Sequence, residues 1–133
     1  MKLIIGGYAQ GRLTYVLRQY ERKPEDVFDF ARQPLSAWNG QSILYHMEAL
    51  VTQAEQEHQS VFEWLKEYLP LWKDCIVITQ EVGCGLVPIT PEERQWREIV
   101  GRMNLLLAEQ AETVERIFCG LSMKIFLSSG GVV

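Results

Sequence analysis

The stretch Asp74-Cys-Ile-Val-Ile-Thr-Gln-Glu-Val-Gly-Cys-Gly-Leu-Val-Pro-Ile-Thr-Pro91 decides the fold of this chain. Its first half, Cys75 to Thr79, is an apolar, largely β-branched run too short for a helix and without the alternation of a half-exposed strand. Such a run predicts a strand buried on both faces, as in a parallel sheet. Gln80 and Glu81 follow, then Gly83 and Gly85 about Cys84, then Leu86-Val87-Pro88, a loop whose glycines let backbone approach another group closely. Ligands of open α/β sheets sit beyond the carboxyl ends of the strands, so Glu81 is expected at a ligand edge.

Downstream, Thr90-Pro91-Glu92-Glu93 is a helix start, with a Thr cap, Pro in the first turn and two acids complementing the helix dipole. The helix is expected to run to Ala111, with Ile99, Met103, Leu106 and Gln110 on the stripe facing the sheet and Trp96 one turn earlier. Val114 to Phe118 reads as a last buried strand, placed near an edge by Glu115 and Arg116, and Lys124 to Leu127 as a further one. The remainder, through Ser128-Ser-Gly-Gly131, reads as a frayed tail.

Upstream, Lys2 to Ile5 is a short apolar run ending in Gly6-Gly7, after which Leu13, Val16, Leu17 and Tyr20 recur at helical spacing. Val27 to Phe30 alternates as a short strand would. A helix capped by Asn39 or Ser42 is expected to reach about Gln56, burying Ile43, Met47, Leu50 and Val51. Ser60 and Glu63 form a capping-box pattern opening another helix through Phe62, Leu65 and Leu69, closed by Pro70.

A chain of 133 residues, 47% of them hydrophobic, fits one domain with a real core. Its net charge of -4 argues against a nucleic-acid-backbone binder. Three cysteines, Cys75, Cys84 and Cys119, without CxxC or paired-His spacing signal neither a disulfide framework nor a zinc site and suit a reducing cytoplasm. No stretch approaches the ~20 apolar residues of a membrane span, and the N-terminal run is too short for a secretion signal, so a soluble, unprocessed protein is expected.

Gly6-Gly7-Tyr8-Ala9-Gln10-Gly11-Arg12-Leu13 has the glycine spacing of a phosphate-binding loop, G-x-x-x-x-G-K-[ST], between a strand and a helix. Glycines expose successive backbone N–H groups, and the helix N-terminus adds partial positive charge. Two side chains depart from the pattern. Arg12 replaces the lysine, keeping its charge on a bulky planar fork, and Leu13 replaces the hydroxyl that would hold Mg²⁺. On pattern alone the segment reads either as a phosphate cradle or as an ordinary tight glycine turn.

Glu81-Val-Gly-Cys-Gly-Leu-Val-Pro88, Arg94, Trp96-Arg97-Glu98, Gly101, Asn104, Leu107-Ala108, and Gly120 with Lys124 closely resemble the C-terminal half of the adenosylcobinamide kinase/adenosylcobinamide-phosphate guanylyltransferase family. The Gly6-Gly7 loop resembles that family's Gly-Gly-x-x-x-Gly-Lys-Ser. The resemblance implies an α/β, P-loop NTPase (RecA-like) three-layer fold with a mostly parallel sheet, abbreviated in the middle. It also implies phosphorylation of adenosylcobinamide by ATP or GTP, with Mg²⁺, followed by GMP transfer, in a homo-oligomer. Carried over, Gly6 to Leu13 would bind the nucleotide, with Arg12 at the lysine position. Glu81 would be the acidic residue of the second loop, shaped by Gly83, Gly85 and Pro88 and supported by Arg94, Arg97 and Asn104. Arg12 and Glu81 are thereby the catalytic candidates; no metal ligand is assigned.

Full-length members of that family carry a longer middle, with a further acidic strand and a guanylylated histidine near basic residues. Here the histidines are His46 and His58, both on predicted helices and without such surroundings. These departures keep open an alternative: a noncatalytic, P-loop-derived binding or scaffold module. Trp38, Trp64, Trp72 and Trp96 read as core or interface residues, Cys84 as a small space-filler, and Glu55, Glu57, Glu63 and Glu67 as solvent-facing.

Overall fold

The computed structural model describes residues 1–7, 11–82 and 90–127, with backbone alone at 126 and 127. Strand β1 (Lys2–Gly6) leads through a loop to α1 (Arg12–Gln19), followed by β2 (Val27–Asp29), β3 (Ile43–Tyr45), α2 (Glu48–Gln56) and α3 (Val61–Tyr68). Then come β4 (Ile76–Gln80), the long α4 (Pro91–Gln110), β5 (Thr113–Phe118) and β6 (Leu121–Leu127). The strands form one sheet in the order β2-β3-β4-β1-β5-β6. All neighbouring pairs are parallel except β5 with β6, which run antiparallel. The expected α/β architecture with a mostly parallel sheet is what forms.

The apolar run over Cys75–Thr79 is buried throughout because β4 is an inner strand covered on both faces. Alternation divides the strands between two cores. Leu3, Val77, Leu44, Phe28 and Val114 meet Leu50, Leu65, Trp72, Met103 and Leu107 under α2, α3 and α4. Ile4, Ile43, Ile76, Ile78 and Ile117 meet Val16 of α1 on the opposite face. The result is three layers. Trp72 is fully buried, with Trp38 and Tyr68 packed edge-on or tilted against it, and Trp64 and Trp96 are partly buried on the same cluster. Trp72 is therefore a core residue, and the other three border the core with part of their surface exposed. Glu55, Glu57, Glu63 and Glu67 are exposed, as expected.

Several expectations are corrected. The helix drawn from Asn39 or Ser42 to Gln56 is two elements: β3 over Ile43–Tyr45, then α2 from Glu48. His46 lies in the turn between them with φ 57°, and His58 lies past the end of α2 with φ 54°, so neither is helical. The short middle of the chain thus still supplies two parallel strands, β2 and β3. On α4 the buried stripe is Val100, Met103, Asn104 and Leu107, rotated about one residue from the expected one; Ile99 and Leu106 flank it, and Gln110 is exposed. The final strand starts at Leu121, earlier than Lys124. The expected tail and the loop from Gly83 to Pro88 lie outside the described residues. Among the described residues, no helix is long and apolar enough to cross a membrane.

Candidate functional site

Strands β1 and β4 are adjacent, but their following helices leave on opposite faces, α1 with the isoleucine core and α4 with the tryptophan core. That divergence is a topological switch point, which opens a crevice at the carboxyl ends of the two strands. Gly6 stands level with Gln80 across the pair, and the Glu81 N–H donates to the Gly6 carbonyl at 2.7 Å. The two glycine-bearing turns singled out in the sequence therefore leave the sheet at one edge.

Helix α1 begins at Arg12 behind Gly11, whose φ of 77° suits glycine and whose missing side chain leaves the first turn without a side-chain cap. Arg12 folds back over β1: a Cβ built on Gly6 would lie 3.2 Å from Arg12 Cγ and 3.3 Å from Cδ. Its side chain is buried, and Nη1 has no hydrogen-bond partner among the described residues. A guanidinium is a permanent cation, so an enclosed, incompletely bonded one is costly unless an anion joins it. Leu13 lines an open cavity of about 470 Å³, together with Leu17, Pro24, Val27, Asp29 and Tyr45. Gly7 is half-buried at the start of the loop, while Tyr8, Ala9 and Gln10 lie outside the described residues.

On the other side of the crevice, Glu81 is held by a residue the sequence reading did not assign. Arg116 of β5 reaches across the end of β1 and donates from Nε and Nη2 to Glu81 Oε2 at 3.2 and 3.0 Å. Behind Glu81, the end of β4 is anchored on both sides. Glu48, buried in the first turn of α2, accepts the Gln80 N–H at 3.0 Å. Asn104 donates to the Gln80 carbonyl and accepts from the Thr79 hydroxyl, each at 2.9 Å. Asn104 thus braces the end of β4; Arg97 pairs with Glu93 on its own helix and Arg94 is exposed, while the loop all three were expected to support lies outside the described residues. Glu48 carried no sequence signal, since it looked like one more acid on an amphipathic helix.

Further along the same edge, His46 Nδ1 lies 2.7 Å from Asp29 Oδ1, and its ring stacks on Tyr45 with centroids 3.7 Å apart. The alternation over Val27 to Phe30 put Asp29 inside a short strand, whereas β2 ends at it; nothing in the sequence joined it to His46.

The donor set suits an anion better than a resident divalent cation. Leu13 offers no oxygen, and among the described residues no group of three or more His, Cys, Asp or Glu side chains gathers as a metal would require. The crevice can therefore draw a phosphate by cations and backbone N–H groups, with Glu81 as its counter-charge.

The family model described as cobinamide kinase / cobinamide phosphate guanyltransferase matches residues 32–125. This range takes in Glu48, Glu81, Asn104 and Arg116 but starts after Gly6 to Leu13 and after Asp29. Two curated relatives, each described as a bifunctional adenosylcobalamin biosynthesis protein CobU, come from Salmonella typhimurium and Escherichia coli. Each is 40% identical over 50 residues, which is 38% of this chain and 28% of the relative. The matched stretch thus spans little more than a quarter of either relative.

Proposed function

This chain belongs to the cobinamide kinase / cobinamide phosphate guanyltransferase family, and from that premise we propose that it binds a nucleoside triphosphate, ATP or GTP, in the β1–β4 crevice and transfers phosphate to adenosylcobinamide. The observation that carries the proposal is Arg12, a buried cation with Nη1 unbonded at the N-terminus of α1. In this reading Arg12, with the backbone from Gly6 to Leu13, takes the β- and γ-phosphates, charge neutralisation by guanidinium standing in for part of what lysine does elsewhere. Arg116 offers a second guanidinium once a phosphate competes for it, and Glu81 positions that side chain. GMP transfer is the remoter half of the proposal: among the described residues the cation found near His46 is Arg32, 3.7 Å from Asp29 Oδ2 and so joined to the imidazole only through that carboxylate.

Calorimetric titration with ATP, GTP and adenosylcobinamide, each with and without Mg²⁺, and an assay for phosphorylated corrinoid test this reading. Micromolar nucleotide binding with turnover is expected. Nucleotide binding without turnover under saturation favours a second reading, a noncatalytic binding module. Its support is the Arg12 stem, which occupies the space above Gly6.

The same proposal includes a homo-oligomer in a reducing cytoplasm. Supporting it are Leu121, Met123 and Ile125, which leave 74, 56 and 47% of their surface exposed on the edge strand β6, beside Phe118 at 59%. Contiguous apolar exposure on a free strand edge is a usual mark of an interface.

A further inference from the structure

Among the described residues, four other than glycine have positive φ: Glu21, His46, His58 and Cys119. Glu21 and His58 follow helix ends, and Cys119 with Gly120 turns the β5–β6 hairpin, positions where such backbone is ordinary. His46 is different. It is the single residue between β3 and the N-cap of α2, a strand-to-helix turn at the carboxyl edge of a parallel sheet. Strained turns of that kind hold a reactive side chain out at the strand end.

The surroundings of His46 are those of an oriented base. Asp29, from the neighbouring strand, takes Nδ1 at 2.7 Å and is itself fixed by the Ala31 N–H at 2.9 Å. Tyr45 stacks on the ring at an interplanar angle of 28°. With Nδ1 committed, Nε2 is the nitrogen left for exchange, which is how a carboxylate sets the tautomer of a catalytic imidazole. Asp29 and Tyr45, the two partners of the His46 ring, also line the 470 Å³ cavity, as does Leu13 in the first turn of α1. One hollow therefore runs from those two partners to the start of the helix that carries Arg12. Strand β3 lies two places from β1, about 10 Å at ordinary sheet spacing.

We propose that Asp29 and His46 form the general base that deprotonates the acceptor hydroxyl, an alcohol at the end of a side arm entering this cavity. The inference rests on the phosphoryl-transfer reading above. In the step, the hydroxyl oxygen bonds to the γ-phosphorus as the bond to the β,γ-bridging oxygen breaks. The nucleoside diphosphate leaves with that electron pair. The hydroxyl proton passes to His46 Nε2, and the Asp29 carboxylate stabilises the resulting imidazolium. Leu17, Pro24 and Val27 line the cavity beside Arg32 and Gln33, so the arm it takes is largely hydrocarbon or amide with a terminal hydroxyl.

The variant His46→Gly tests this without threatening the fold, because glycine adopts a φ of 57° freely. Its resistance to urea should equal or exceed that of the native chain, and its ATP affinity should stay within about twofold. Phosphoryl transfer should fall by about 10²–10³-fold and recover in part on adding free imidazole. Asp29→Asn should lower kcat more than it changes KM, and ¹⁵N shifts of His46 should report protonated Nδ1 in the native chain but not in Asp29→Ala. An unchanged rate in His46→Gly, or a loss that imidazole does not restore, overturns the proposal. A native chain that binds ATP but transfers nothing overturns it while nucleotide binding stands; a chain that binds no nucleotide overturns the underlying reading as well.

Discussion

Arg116 and Glu81 meet across the end of β1, with both Nε and Nη2 of the arginine on the single oxygen Oε2 at 3.2 and 3.0 Å. The pair is half-open to water, the side chains being 40 and 27% exposed, so it contributes at most about 1 kcal/mol to stability. Its value lies in the charge it balances at the crevice. Glu81→Gln frees the guanidinium, and inorganic phosphate or ATP should then bind several-fold more tightly. Arg116→Met leaves an unbalanced carboxylate, and binding should weaken about tenfold, with both effects shrinking as salt rises. Calorimetry at two ionic strengths reads the opposite signs; equal affinities in the two variants would remove the crevice from consideration as an anion site.

Arg12 invites a test that separates stability from function. Replacing it by Met keeps a stem over Gly6 but removes an enclosed cation whose Nη1 is unbonded. Unliganded Arg12→Met should be about 1 kcal/mol more stable in urea, since exchanging an incompletely paired buried charge for a hydrocarbon of similar volume is often favourable. The same variant should lose phosphate binding at least tenfold. A variant that is weaker in urea and unchanged in binding would make Arg12 a packing residue.

At Gly6 the constraint is space. An added Cβ would sit 2.8 Å from the Ile117 carbonyl oxygen, and a backbone atom in a central sheet cannot move aside. Gly6→Ala should cost about 2 kcal/mol, in the range of overpacked interiors. Gly101 in α4 is the control: nothing lies within 4 Å of its added Cβ, so Gly101→Ala should gain about 0.5–1 kcal/mol from helix propensity. Urea midpoints of the two variants should move in opposite directions.

Those contrasts explain what could be read from the chain alone. Cys75–Thr79 was legible because a buried parallel strand writes its environment directly into composition, and Glu81 was legible because it follows that strand. The segment around Ile43 was not. Ile43, Met47, Leu50 and Val51 sit at helical intervals, yet the first belongs to β3 and the others to the turn and α2, so periodicity merged two elements. What divides them is the backbone of His46, and a positive φ at histidine has no signature in hydrophobic pattern. Arg116 escaped for another reason: its partner lies 35 residues away across an intervening strand, a relation that only topology creates.

If β6 closes a homo-oligomer, charge on its apolar row should open it. Leu121 and Met123 are exposed on β6, Met123 standing level with Arg116 of β5. The native protein should sediment as an oligomer and Leu121→Lys/Met123→Lys as a monomer, with unchanged helix signal by circular dichroism. Identical sedimentation of the two would exclude this edge as the interface.

Glu115 fixes the acid limit of the fold. Burial alone would raise its carboxyl, but hydrogen bonds from Ser122, Tyr15 and Tyr20, aided by the charge of Lys124, outweigh burial and hold it below the ordinary glutamate range. Each hydroxyl stands 2.5 Å from a Glu115 oxygen, tying α1 and β6 to β5 through one carboxylate. Because the folded value is depressed, the stabilisation is present above the unfolded value of about 4.3 and is lost as pH falls through the folded one. Tyr20 works at the other limit: burial first, then the bond to Glu115, raises its phenol, so its share is present below about pH 10 and fades as pH climbs beyond. Glu115→Gln should therefore cost about 2 kcal/mol near neutrality, where it leaves three hydroxyls facing a weaker acceptor. The gap between variant and native chain should narrow steadily below about pH 4 as the native carboxyl takes up its proton. Urea titrations from pH 3 to pH 8 measure that convergence, and a gap that stays constant with pH would show that Glu115 acts by shape and not by charge.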